Sequence, residues 1–245
     1  NKRVLEWMNL YSKIFSVHIK SINETHSLIA LQGPNSRNIL NKISNKKINL
    51  DFYHLMEVTL IDNPVILSRT GYTGELGFEI LAENNTIQKL WKYFISKDIF
   101  PSGLAVRDIL RMEMKYCLYG NDISEFTNPL EAGLSWIVNF KKGDFLGKQS
   151  LLKFKKTPYK RKLSGFVMSE KAIPRKGYII YSDNKKIGEV TSGTHSPSLS
   201  QGIGLGYIDT EYNQINRVIS IDIRGKLINA QIVETPFINN TSIYN

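Results

Sequence analysis

The stretch SRTGYTGELGFEI, Ser68–Ile80, places three glycines within seven residues just ahead of a carboxylate, Glu79. Glycine is used where a backbone turns sharply or lies close to another group. Glu79 stands between Phe78 and Ile80 in the run GFEIL, which has strand character. Side chains alternate across a strand, so each points to one face or the other. A carboxylate pointing inward needs a partner, and a ligand can be that partner. Tyr72 lies between Gly71 and Gly74, which give its ring little local cover. It reads as a stacking platform. Tyr53 and Tyr116 are further aromatic candidates, although a buried tyrosine is usually core with a satisfied hydroxyl.

A second constellation lies in GLAVRDILRMEMKYCL, residues 103–118. The pattern predicts a helix, on which Arg107 and Arg111, four apart, share a face. Leu104, Leu110, Met114 and Cys117 mark an inner side overlapping that face. A partly buried arginine must be paired. Two readings stay open: an internal salt bridge, for example Arg111 with Asp108 or Glu113, or recognition of a carboxylate or heterocycle carbonyl on a ligand.

Other chemistry is disfavoured. Cys117 is the single cysteine and has no base beside it in sequence, so it reads as packing. The histidines His18, His26, His54 and His195 have no metal-ligand spacing, and no metal site is expected. His195 lies among serines, but there is no GxSxG elbow, and Ser/Gly/Pro density also describes a loop. GIGLG, 202–206, is not followed by a helix and is therefore no dinucleotide fingerprint.

The elements that must position these residues read as an α+β chain. A helix is expected over 4–15 and strands at VHIKSI (17–22) and HSLIALQG (26–33). A helix at 34–43 would carry Pro34 in its first turn. EVTLI (57–61) and VILSR (65–69) would pair through a turn at 62–64, and a helix over 83–96 would bury Ile87, Leu90, Trp91 and Phe94. From Leu163 the chain becomes short strands and turns at the spacing of a small antiparallel barrel: LSGFVM, GYIIYS, KKIGEVTS, GIGLGYI, RVISIDI and KLINAQIV. Two domains are expected, 1–155 and 156–245, with the basic stretch around Pro158 as linker.

The 245 residues allow a sizeable core, and no run of eighteen apolar residues spans a membrane. A lone cysteine fits a reducing compartment, so a cytoplasmic location is expected, or the mitochondrial matrix in a eukaryote. The chain has no initiator Met and opens inside an apparent helix, which reads as a fragment lacking its true N-terminus. Net charge is +10, and residues 141–162 alone hold nine basic residues against one acid. This is either a solvated connector or a docking patch for an acidic partner. No nucleic-acid module surrounds it.

Six stretches in order carry a resemblance: LIALQGP (28–34), SRTGYTGELGFEI (68–80), GLAVRDILRMEMKYCLYGND (103–122), NPLEAGLSWIV (128–138), KGDFLGK (142–148) and TSGTHSPSL (191–199). Together they resemble the aminomethyltransferase, or T-protein, family of the glycine cleavage system. The resemblance implies a folate-binding region of mixed sheets and helices followed by a C-terminal β-barrel. It implies tetrahydrofolate as co-substrate, the lipoylated H-protein as partner, and no metal. It assigns Glu79 to the pterin edge, Arg107 to ligand contact, and Tyr72, Tyr53 and Tyr116 to the folate lining. The family's catalytic aspartate would lie upstream of Asn1. The alternatives are another folate-dependent demethylase or one-carbon transferase of the superfamily, or a non-enzymatic folate-binding accessory protein. The last carries a cysteine where KGDFLGK has none.

Overall fold

The computed structural model describes residues 2–244, which form two compact units. The first comprises the chain through Gly71, Leu76–Pro101 and Tyr244. The second comprises Tyr72–Glu75 and Ser102–Ile243.

The first unit contains α1 (Lys2–Ser12), β1 (His26–Gln32), α2 (Ser36–Asn41), β2 (Leu55–Leu60), β3 (Asn63–Ser68), β4 (Gly77–Glu83) and α3 (Asn84–Ser96). The four strands form an antiparallel sheet in the order β1-β4-β3-β2. Strand alternation sends Phe78, Ile80 and Ala82 of β4 to one face, with Val65 and Leu67 of β3 and Val58 and Leu60 of β2. Ile87, Leu90 and Phe94 of α3, which packs on β1 and β4, close this core. Fully burying each such side chain stabilises by about 1.5–3 kcal/mol. Trp91 does not join the apolar stripe and is 48% exposed. The opposite face carries Glu79, whose register partners are Ala30 and Ser68.

Three local expectations change. Val17–Ile22 alternates like a strand but forms none; a strand needs a hydrogen-bonding neighbour, and none pairs with this segment. Pro34 precedes α2 rather than lying in its first turn, since Asn35 is the N-cap. The β2–β3 turn is centred on Ile61 and Asp62, both at positive φ, and Pro64 falls inside β3 opposite Thr59. The β3–β4 register covers only Ile66–Ser68, so Pro64 lies where β3 has no partner on that side and its missing N–H breaks no ladder.

The second unit contains α4 (Leu104–Glu113), a short 3₁₀ turn at Ser135–Ile137, α5 (Lys148–Lys156) and six strands. The strands are β5 (Arg161–Met168), β6 (Ile179–Ser182), β7 (Lys185–Ser196), β8 (Gln201–Asp209), β9 (Val218–Ile223) and β10 (Lys226–Val233). They close into an antiparallel barrel, β10-β5-β8-β7-β6-β9, as the sequence predicts. The GIGLG run becomes the middle of β8. Gly204 faces inward, where a Cβ would stand 2.3 Å from the Phe166 ring. Ile203, Leu205 and Tyr207 alternate to the other side and cluster with Met112 of α4. The Ser/Gly-rich stretch around His195 is not a loop either, since β7 runs on to Ser196. The basic stretch is helical in α5, none of whose residues is buried.

Helix α4 ends three residues before Tyr116. Lys115 adopts φ +56, the Lys115 N–H donates to the Met112 carbonyl at 2.9 Å, and the Tyr116 N–H donates to that of Arg111 at 2.8 Å. This pair of bonds is a Schellman cap, formed without the glycine that usually announces one.

Candidate functional site

The five expected ligand residues divide between the units. In the second unit, Tyr72, Tyr116 and Arg107 come together. The Tyr72 and Tyr116 rings stack with centroids 5.7 Å apart at 25°. The Arg107 guanidinium carbon lies 4.4 Å from the Tyr72 centroid. A cation over an aromatic face contributes about 0.5–1 kcal/mol at an exposed site. The Tyr72 hydroxyl donates to the Cys117 carbonyl at 2.6 Å. Tyr72 is thus half-buried rather than bare. Its glycine neighbours give no cover, but residues more than thirty positions downstream do. Burial pushes its phenol pKa up, with the Arg111 and Arg107 charges opposing and Asp122 adding to the shift. The hydroxyl therefore stays protonated and donating at neutral pH. Gly74, two residues on from Tyr72, takes φ +78, and a Cβ there would collide with the Met114 side chain.

The two arginines separate cleanly. Arg107 is exposed apart from its stack on Tyr72. Arg111 is 1% exposed and fully engaged. Its Nε donates to Asp108 at 2.8 Å, Nη1 to Asp122 at 2.7 Å and Nη2 to Ser192 Oγ at 3.0 Å. The buried residues of α4 are therefore Arg111, Met112 and Glu113 at its C-terminal end, while Leu104 is 80% exposed. Glu113 does not pair with Arg111 but accepts a bond from Ser196 Oγ at 2.5 Å. Asp122 also accepts the Leu118 N–H and the Thr191 hydroxyl, so this buried charge is paired and hydrogen-bonded throughout. Of the serines around His195, Ser192 accepts from Arg111 and Ser196 donates to Glu113. Burial, the largest cause, pushes the Cys117 thiol up to about 11, which disfavours the thiolate form.

In the first unit, Glu79 is half-buried on the sheet face away from the apolar core. The Thr70 hydroxyl donates to its Oε2. No cation pairs with Glu79 among the described residues. The glycines beside it serve a neighbour: a Cβ on Gly71 or Gly77 would lie 2.0 or 2.1 Å from Gln32 Oε1. Gln32 Nε2 donates to the Thr70 and Phe78 carbonyls at 3.3 and 3.2 Å, tying the two arms of the motif together. Tyr53 takes φ +63, is 62% exposed, and rests its ring 4.1 Å from that of Phe52. Its N–H donates to the Arg69 carbonyl at 3.1 Å, next to Thr70. Sequence reasoning missed Gln32, Thr70 and Asp122. Each is a polar residue flanking a quoted motif glycine or helix, the one signal that could have marked them.

No group of three or more His, Cys, Asp or Glu residues is placed to hold a metal among the described residues. No helix among them is long and apolar enough to cross a membrane.

Comparison with known proteins places this geometry. Residues 1–142 match the GCVT N-terminal domain, and residues 161–239 match the glycine cleavage T-protein C-terminal barrel domain. The chain is similar to the aminomethyltransferase of Halothermothrix orenii, 45% identical over 223 residues, covering 88% of this chain and 62% of the relative. That of Thermosipho melanesiensis is 43% identical over 233 residues, covering 94% and 64%. Among solved structures, the glycine cleavage system aminomethyltransferase T from Bartonella henselae superposes with a TM-score of 0.87 at 28% identity. It covers 96% of this chain and 66% of that one. The chain thus spans slightly less than two thirds of the length of these relatives. With both family domains matched in order across nearly all its residues, the chain belongs to the glycine cleavage T-protein family.

Proposed function

We propose that this chain performs the folate-binding part of aminomethyl transfer in glycine cleavage. The donor is the aminomethyl group on the lipoyl arm of the H-protein; the products are ammonia and 5,10-methylenetetrahydrofolate. The observation that carries this reading is Glu79. It is a half-buried strand carboxylate without a cation among the described residues, with one oxygen engaged by Thr70. A carboxylate so held suits a ligand edge presenting an N–H beside an amino group, which it accepts as a charge-assisted pair. Tetrahydrofolate fits that description, and when bound it supplies the nucleophilic nitrogen that accepts the one-carbon unit. Glu79 is proposed to orient the pterin. Tyr72, which stacks on Tyr116, and Arg107, which lies over Tyr72, are proposed to contact the ligand, with Tyr116 as a lining residue. Tyr53 is proposed as a further lining residue.

No residue of this chain is proposed as catalytic in proton transfer; its share is binding and orientation. The proposed division of labour is a folate-binding region over 1–155 and a barrel over 156–245. The proposed location is the cytoplasm. The test is ammonia release from aminomethyl-lipoyl H-protein by the native protein, with and without tetrahydrofolate. Release that rises with tetrahydrofolate and yields methylenetetrahydrofolate supports the reading. Release indifferent to folate refutes it.

A further inference from the structure

A cavity of about 360 Å³ opens at one end of the β10–β5 ladder. The pairing of β10 with β5 stops at Val233↔Gly165, whereas β5 continues against β8 as far as Arg161. Lys162, Leu163 and Ser164 therefore have β8 on one side and no β10 residue on the other. The cavity runs along this edge beyond β10, where the Leu163 N–H donates to the Glu131 carbonyl at 2.9 Å, and its polar lining includes Lys115, Lys162, Ser164, Asn213, Glu234 and Thr235.

Lys115 enters from the Schellman cap of α4, where it holds the left-handed conformation that favours glycine. The residue is half-buried, its Nζ lies near Gly133, where an added Cβ would stand 3.3 Å from it, and this amine makes no hydrogen bond or ion pair among the described residues. Lys162 has no carboxylate partner among them either. Glu234, the one acid on the cavity wall, is exposed and bridges to neither amine. Burial, the largest cause, holds the Lys115 pKa below the ordinary lysine value; Cys117 opposes this and the Lys162 charge adds to it. Two lysines thus line one small cavity with no carboxylate bridged to either among the described residues. Ser164 Oγ donates to Asn213 Oδ1 at 2.7 Å, which fixes the Asn213 amide and leaves its NH₂ as a further donor.

We propose that Lys115 and Lys162 form a binding site for a small oxyanion, a phosphate or a carboxylate, in the cavity beside β5 where the β10 ladder ends. Such an anion would offset the desolvated charge of Lys115 and bridge it to Lys162. The site does not depend on the folate reading. All its residues lie within the second unit, and none is among the proposed folate contacts.

The test is an amide-shift titration of the intact protein with inorganic phosphate and, separately, with succinate, against sodium chloride of matched ionic strength. The signals followed are those of Lys115, Ser164, Gly165 and Asn213. Saturable shifts with either probe are expected, phosphate alone indicating a phosphoryl ligand and succinate alone a carboxylate ligand. Lys115→Gly removes the amine while suiting the positive φ, so its melting temperature should equal or exceed that of the wild type. It should weaken anion binding about tenfold or more, as expected for losing a charged hydrogen-bond partner. Lys162→Gln, at an exposed position, should weaken binding in the same direction without touching the helix cap. Linear shifts no larger than those in sodium chloride would overturn the proposal, as would saturable binding unchanged in both variants.

Discussion

Arg107 and Arg111 lie one helical turn apart and do different work, and residue type alone does not separate them. Both readings of the pair, salt bridge and ligand contact, are compatible with the sequence. The division comes from Asp122, eleven residues beyond Arg111, and from Ser192 on β7, which together with Asp108 engage the guanidinium of Arg111 and leave Arg107 to stack on Tyr72. Breaking a buried pair by removing one partner costs about 3–5 kcal/mol, because the other charge is left uncompensated. Arg111→Ala should therefore lower the melting temperature strongly, whereas Arg107→Ala should leave it nearly unchanged and weaken tetrahydrofolate binding. Thermal melts and folate titrations of the two variants check this, and the reverse pattern would exchange their roles. Cys117 gives a pH prediction at the same scale. Burial pushes its folded thiol up to about 11, from the 9.0 of an unperturbed thiol. The unfolded state loses its proton first, so this group's contribution to stability falls as pH rises from about 9 to about 11. Alkylation by iodoacetamide should accelerate with an apparent pKa near 11 in the native protein and near 9 in urea. A native midpoint near 9 would mean that the thiol is not shielded.

At the scale of elements, the periodic ones were legible. The apolar stripe of α3 and the six barrel strands follow from alternation and turn spacing, signals that packing reinforces. What was not legible depended on partners distant in sequence. Val17–Ile22 alternates but joins no ladder among the described residues, and α4 stops at a Schellman cap on a lysine. The motif glycines at 71 and 77 make room for Gln32, a residue some forty positions upstream. The basic segment, read as a connector, is helical over Lys148–Lys156. In α5, Lys148 donates to the Lys142 and Gly143 carbonyls at 2.9 and 3.2 Å, and Lys155 lies 4.8 Å from the Phe140 ring. The eight lysines of 141–162 have no carboxylate partner among the described residues, whereas Arg161 pairs with Glu131 at 3.1 Å. An unpaired, exposed basic helix raises encounter rates with an acidic partner, and less so as salt increases. Replacing Lys153, Lys155, Lys156, Lys160 and Lys162 by Gln should raise the KM for the H-protein at low salt and leave folate affinity alone. A KM equal to wild type at both low and high salt would make the segment a solvated surface only.

Across the whole molecule, the order of motifs identified the family, because no single stretch carries enough information but six in sequence do. The site was legible as a set of residue types, not as an arrangement. The sequence singles out Glu79, Tyr72, Tyr116, Arg107 and Tyr53. It does not show that Tyr72 is covered by Arg107 and Tyr116, or that Thr70 holds one oxygen of Glu79. The central claim rests on that carboxylate, and calorimetric titration of tetrahydrofolate into the wild-type protein and Glu79→Gln tests it most directly. The amide keeps the size and the Thr70 contact but removes the charge and one acceptor. Losing a charge-assisted bond costs about 1.5–3 kcal/mol, so affinity should fall roughly ten- to hundredfold at an unchanged melting temperature. Undiminished affinity in a folded Glu79→Gln protein would contradict the assignment of Glu79 to the pterin.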